Sequence, residues 1–191
     1  NLRLKEIESG AEAGSWGDST NLNLELIGQA LGYATQDGFP TDANATTTVA
    51  DSLTDPARAM YFKVTSSATL TATRTLTIAP NTITRVMYIE NATTGGQSIA
   101  ISQGSGANVT VETGKTRLVY LDGAGAAAAV VDALAAVNMG TVTAATFIGA
   151  LTGNVTGNVT GNVTGNVTGA LTGNVTGNVT GNVTGNLTGI V

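Results

Sequence analysis

The chain has no histidine and no cysteine. That removes the commonest general base, thiol nucleophiles, disulfide frameworks and the usual zinc ligand sets. Carboxylates, lysines and hydroxyls are what remain for chemistry. A glycosidase needs two facing carboxylates. Glu90, Glu112 and Asp122 are available, but they fall on separate short runs beside turns, where acids are ordinarily solvated. Asp37, Asp42 and Asn44 are the oxygen ligands a calcium ion takes. Their spacing follows no known calcium loop, and Asp and Asn in loops mostly serve turns. Gly104-Ser105-Gly106 and Gly123-Ala124-Gly125 lack the strand-to-helix setting of a phosphate-binding loop and read as hairpin turns. No catalytic residue, metal ligand or cofactor site is assigned, and the chain is not read as an enzyme.

Charge and composition narrow the partners. The 191 residues carry 8 Lys+Arg against 13 Asp+Glu, a net charge of −5. An acidic chain has no electrostatic hold on a phosphate backbone, so nucleic acid is not an expected partner. No apolar run is long enough to cross a bilayer, so membrane insertion is not expected. No basic-then-apolar leader opens the chain, and the last residue, Val191, falls in mid-repeat, so the chain reads as a piece of a longer one. Every charged side chain lies at or before Asp132. A soluble chain rarely leaves so long a tail uncharged unless that tail is buried or assembled.

The tail is a repeat. From Gly149 it contains ten tetrapeptides of the form Gly-[Asn/Ala]-[Val/Leu]-Thr, followed by Gly189-Ile190-Val191. A glycine in every turn makes an α-helix unfavourable by about 1 kcal/mol per glycine relative to alanine. Collagen needs glycine every third residue, not every fourth. Extended backbone alternates its faces, so Gly and Val share one side while Asn and Thr share the other. Gly-Asn also reads as a bend. Ordering this backbone costs more than ten small apolar side chains return, and inter-strand hydrogen bonds need neighbours. Three copies wound about one axis meet the need and leave no open strand edge. The expected architecture of residues 149–191 is therefore a homotrimeric, intertwined β-helical shaft. Its core would be Phe147, Leu151, Val155, Val159, Val163, Val167, Leu171, Val175, Val179, Val183 and Leu187. Ala150-Leu151, Ala170-Leu171 and Leu187 interrupt the repeat. They either pin its register, which a perfect repeat specifies weakly, or are neutral drift. The Asn-x-Thr sequons from Asn154 to Asn186 are formal glycosylation acceptors, read here as a by-product of the repeat. The outward threonine rows also raise an ice-binding surface.

The residues that precede the shaft must position it. Residues 1–45 read as an N-terminal arm and helix, a docking element. Leu2, Leu4 and Ile7 suggest a short strand or extended arm. Asp18, Ser19 or Thr20 is suited to cap a helix whose Leu24, Ile27 and Leu31 recur at helical spacing, with Gly32 as its stop. Trp16 is a candidate contact for a sugar or partner, and is read rather as packing over the helix. Trp16, Leu24, Ile27 and Leu31 are the candidate docking residues. Residues 46–137 read as a small antiparallel β-sandwich or jelly roll, with strands expected at 46–49, 59–65, 73–78, 85–91, 98–103, 108–111, 116–121 and 127–131. Met60, Phe62, Val64, Leu76, Ile78, Val86, Tyr88, Ile99, Ile101, Val109, Val111, Leu118 and Tyr120 are its expected inward residues. Residues 138–148 form a collar, where Phe147-Ile148 would cap the shaft. The fold class expected is thus mainly β.

Two stretches and the repeat resemble phage tail fibre proteins. The first stretch is Gly10 to Gly32, with Gly14-Ser15-Trp16-Gly17, then Asn21 and a leucine-rich segment. The second is Val86 to Gly123, with Asn91-Ala92-Thr93-Thr94-Gly95-Gly96 and Leu118-Val119-Tyr120-Leu121-Asp122-Gly123. The Gly-Asn-Val-Thr run is similar to the fibres of phages of cyanobacteria and other marine bacteria. The resemblance implies a trimeric virion protein of the tail, attached to other tail proteins at one end and engaging a host surface receptor at the other. Residues 1–32 are read as the end nearer the tail, and the receptor contact as lying in a distal region outside this chain. No receptor-binding residues carry over. The rival readings are a carbohydrate-binding adhesin, a glycan-degrading tailspike and an ice-binding protein.

Overall fold

The computed structural model describes residues 2–138, all within one of the chain's two units. The expected trimer core, Phe147 to Leu187, and the shaft as a whole lie outside the described residues, as does most of the collar.

Among the described residues, one helix and nine strands follow in chain order: α1 Trp16–Ala30, β1 Tyr33–Asp37, β2 Ala45–Thr48, β3 Tyr61–Thr65, β4 Arg74–Ala79, β5 Arg85–Asn91, β6 Ile99–Ser102, β7 Val109–Val111, β8 Thr116–Leu121 and β9 Val130–Asp132. Short 3₁₀ turns lie at Pro56–Arg58 and Gly125–Ala127. The fold is mainly β, as the turn-punctuated runs predicted, and the expected strands from 46 to 131 each have a counterpart. β1 is an addition. Its sequence, YATQD, carries no buried alternation, because every position is exposed or half-buried.

The strands form a five-stranded sheet, β1-β3-β5-β8-β9, and a four-stranded sheet, β2-β4-β6-β7. Both are mixed rather than antiparallel, which corrects the expected topology. From β1 to β6 the chain changes sheet after every strand. Two crossings restore its direction, so β1, β3 and β5 pair in parallel, as do β2, β4 and β6. The result is a flattened coil of three turns, with Tyr33, Tyr61 and Tyr88 in register across them. The coil ends in antiparallel pairs, β6 with β7, β5 with β8 and β8 with β9. A turn signal between two strands is the same whether the chain folds back within a sheet or crosses to the other, which is why local sequence does not distinguish the two.

The two sheets enclose one core. Phe62, Val64, Met87, Ile89, Val119 and Leu121 from the first sheet meet Leu76, Ile78, Ile99, Ile101, Val109 and Val111 from the second. The inward assignment therefore holds for β3, β4, β6 and β7 and is reversed on β5 and β8. Val86, Tyr88 and Tyr120 are exposed, Leu118 is half-buried, and Met60 lies at the surface just before β3. The reason is visible in the residues. Val86-Met87-Tyr88-Ile89 and Leu118-Val119-Tyr120-Leu121 are apolar at every position, so alternation cannot choose a face, and the core takes the more compact, wholly aliphatic set.

Buried polar groups tie the turns. Asn91 is wholly buried. Its amide donates to the carbonyls of Gln97 and Val111, each at 3.0 Å, and its Oδ1 accepts from the Thr93 N–H and hydroxyl. Gln103 donates to the Ile83 carbonyl at 2.7 Å and accepts from the Gly123 N–H. Fully buried Arg58 collects the carbonyls of Leu2, Ala50 and Leu53. Arg85 donates to the Arg58 carbonyl. Burial, with the Arg58 charge nearby, holds the Arg85 guanidinium down to about 10.

The N-terminal segment is an arm without strand pairing. Reciprocal bonds join the Lys5 backbone to the Asn23 amide at 2.8 and 2.9 Å, and Arg58 holds Leu2. The helix begins at Trp16, ahead of the expected caps, with Ser15 in the capping position and no side-chain cap bond. The Glu12 carbonyl receives the Ser15 and Trp16 N–H groups, so the preceding turn supplies part of what a cap would. Asp18 lies in the first turn, where the helix dipole favours an acid. Ser19 is instead buried against the Lys5–Glu12 ion pair.

Candidate functional site

The acids that invited a catalytic or metal reading are each bonded to a neighbour. Glu112 receives Arg117 in a fork of 2.8 and 3.1 Å, and Arg117 also reaches Asp132 at 3.3 Å. The Arg117 bond holds the Glu112 carboxyl below its ordinary range. Asp122 accepts the N–H groups of Ala124 and Ala129 and so shapes the Gly123–Ala129 turn. Glu90 pairs with Lys63 at 3.2 Å and accepts the Tyr61 hydroxyl at 3.0 Å. Asp42 is bonded to Arg74 at 2.7 Å, which with Thr71 depresses its carboxyl well below the usual value. Asp37 accepts from Ser67 and the Phe39 N–H, and Asn44 accepts from the Thr75 N–H. Among the described residues, no group of three His, Cys, Asp or Glu is placed to hold a metal ion, and no helix is long and apolar enough to cross a membrane.

Two apolar surfaces stand out instead. The first is a stripe on α1. At 3.6 residues per turn, Trp16, Leu24, Ile27 and Leu31 fall within an arc of about 80°. Ser19, Leu26 and Ala30, about 100° round the helix from the centre of that arc, are buried against the body of the unit. Trp16, Leu24 and Leu31 are 65%, 61% and 68% exposed, and Ile27 is half-buried between them. The candidate docking residues thus share one outward face. Trp16 does not pack over a neighbouring helix, as its glycine surroundings suggested. It opens α1 itself and stands in solvent.

The second surface was not anticipated. All four tyrosines lie on the outer face of the five-stranded sheet. The pairing puts Tyr33, Tyr61, Tyr88 and Leu118 in one row across β1, β3, β5 and β8. Val86, Tyr120 and Val131 form the next row. Ring centroids are 5.6 Å apart for Tyr33–Tyr61 and 6.1 Å for the stacked pair Tyr61–Tyr88, within the range where aromatic pairs attract. On the other side of the tyrosine row run Thr35, Lys63, Glu90 and Thr116. Tyr33, Tyr88 and Tyr120 are 62%, 43% and 40% exposed. At about 200 Å² per tyrosine side chain, roughly 300 Å² of their surface is open before Val86 and Leu118 are added. The largest apolar patch on a typical monomer is of this order and is often functional. The signal was present in the sequence as a tyrosine opening each turn of the coil, at Tyr33, Tyr61 and Tyr88. It becomes readable once the parallel register is known.

Comparison with known protein families, with curated proteins and with solved structures finds no match.

Proposed function

We propose that this chain is a structural virion protein, the subunit of a homotrimeric bacteriophage tail fibre that takes part in attachment to the host cell surface. The observation that carries the reading is the uncharged Gly-[Asn/Ala]-[Val/Leu]-Thr run from Gly149. One copy of it has too little apolar surface to order itself, and association supplies the missing partners. Two further features agree with it. The carboxylates considered for catalysis are engaged in turns and ion pairs, and α1 offers an apolar stripe suited to another tail protein.

The role is mechanical. A rod spaces an adhesive end from the particle, and linking three weak contacts raises their combined strength by effective concentration without any new contact. Trp16, Leu24, Ile27 and Leu31 would seat the N-terminal end on the tail. The full chain is expected to sediment as a trimer of the 19.0 kDa subunit and to appear as a rod in electron micrographs. A stable monomer overturns the reading. Leu24→Glu with Leu31→Glu is expected to leave the melting curve unchanged and to abolish incorporation into particles. Normal incorporation would remove the docking role from the stripe.

A further inference from the structure

We propose that the N-terminal arm is the chain's own occupant of a peptide-binding groove, and that a peptide segment carrying a carboxylate displaces it. The inference uses residues 2–9, α1 and the segment 50–58, and it stands whatever the oligomeric state.

The groove holds the arm by its backbone. Arg58 donates to the Leu2 carbonyl, and the Ser52 N–H donates to the Arg3 carbonyl at 3.1 Å. The Asn23 side chain accepts the Lys5 N–H at 2.8 Å and donates to the Lys5 carbonyl at 2.9 Å. A side-chain amide that takes both the N–H and the C=O of one residue reads main chain, whatever side chain that residue bears. These contacts are therefore open to a peptide of another sequence.

The arm is placed to leave. None of its described side chains is fully buried: residues 2–5 are half-buried and 6–9 exposed, so its departure takes nothing from the core. Arg3 and its partner Ser52 both have positive φ, +50° and +56°, a conformation that residues with a Cβ adopt at a cost, and release lets both relax. Gly10 and Gly14, at φ +83° and +93° with nothing near a Cβ, supply a hinge. Two ion pairs latch the arm, Arg3–Asp51 at 3.5 Å and Lys5–Glu12. A cleft of about 510 Å³, lined by Leu2, Arg3, Leu4, Glu6 and Asp51, runs beside it.

Charge says what a better occupant carries. Arg58 is wholly buried, its Nε has no partner, and its other nitrogens meet only carbonyls. Asp55 is engaged by the N–H groups of Ala50 and Ala57, and Asp51 by Arg3. Arg85, whose buried Nε is likewise unpartnered, bonds the Arg58 carbonyl. Burial above all, and Arg3 as well, disfavour the Arg58 charge, against the pull of Asp55 and Asp51. The arm thus brings a carbonyl and a further cation to a buried guanidinium, whereas a carboxylate is the acceptor that arginine pairs with most strongly.

The test is fluorescence anisotropy of two labelled peptides on the full chain. One is the arm sequence, NLRLKEIES, and the other is the same peptide with Leu2→Asp. Lys5→Glu in the chain turns the latch into a repulsion with Glu12 and leaves Asn23, Ser52 and Arg58 in place. The acidic peptide is expected to bind the Lys5→Glu chain about tenfold more tightly than it binds the parent, whose own arm competes, and more tightly than the arm peptide does. Adding Asn23→Ala, on the half-buried surface of α1, should weaken binding about tenfold by removing a pair of hydrogen bonds, with an unchanged melting temperature because alanine suits a helix. Failure of both peptides to bind overturns the groove, as does equal binding with and without Asn23. Equal affinity for the two peptides overturns the acidic partner, in favour of arms exchanged between copies. Amide hydrogen exchange of the parent needs no variant: residues 2–9 should exchange at least about tenfold faster than β5, and equal protection overturns displacement.

Discussion

Asn91→Leu is expected to be among the most damaging single substitutions in the β unit. The side chain is wholly buried at the end of β5 and makes four hydrogen bonds. Two run from its amide to the Gln97 and Val111 carbonyls, and two reach its oxygen from Thr93. Leucine is close in size, so no large cavity forms. What remains is two carbonyls, one N–H and one hydroxyl without their partner, the Gln97 carbonyl half-buried and the other three groups buried. A buried orphan costs about 1–3 kcal/mol. Local shifts and the remaining lone-pair options relieve part of that, which places the total at roughly 3–6 kcal/mol, a large share of the 5–15 kcal/mol typical of a domain. Urea denaturation followed by circular dichroism measures it. The midpoint should fall with little change in slope, because the surface exposed on unfolding is the same. Asn91→Asp separates hydrogen bonding from shape. It keeps the acceptor for Thr93, loses both donors and buries a charge, so it should be worse than leucine at neutral pH and improve as the pH drops and the acid is protonated. A cost below about 1 kcal/mol for Asn91→Leu, under the range for one buried orphan, would refute the reasoning.

Two smaller predictions follow from local geometry. Gly95 and Gly96 both have positive φ, +101° and +72°, but a Cβ at Gly95 would lie 2.1 Å from the Leu70 carbonyl oxygen, whereas at Gly96 it meets nothing. Gly96→Ala should therefore cost about 1–2 kcal/mol for the left-handed conformation alone, and Gly95→Ala measurably more. Equal thermal shifts for the two would contradict the close approach. Asp42 titrates below its ordinary range because of Arg74 and Thr71. Its contribution is present above the usual aspartate value of about 3.9 and is lost as the pH falls toward the lower folded value. Asp42→Asn should thus be destabilising at pH 7, and its gap from the parent should begin to narrow below about pH 4 and go on shrinking as the pH falls. A gap independent of pH would remove the ion pair from the account.

The amino-acid order by itself determined what depends on neighbours along the chain. Helix α1 follows from the spacing of its leucines, and the strands from 46 to 131 follow from short β-branched runs separated by turn residues. The four-residue period of the tail, and the isolation of every charge before Ala133, need no coordinates. Leu24, Ile27 and Leu31 were legible on one side for the same reason, whereas Trp16 joins them only because the helix begins ahead of the expected caps. Which strand pairs with which was not legible. Parallel pairing joins residues a whole coil apart, and no local turn records whether the chain has crossed to the other sheet. The side that β5 and β8 turn inward was equally hidden, because both of their faces are apolar. That choice belongs to the core, which closes on Met87, Ile89, Val119 and Leu121 and leaves Tyr88 and Tyr120 in water. The tyrosine ladder is the consequence of both decisions, and so it exists only in the folded molecule.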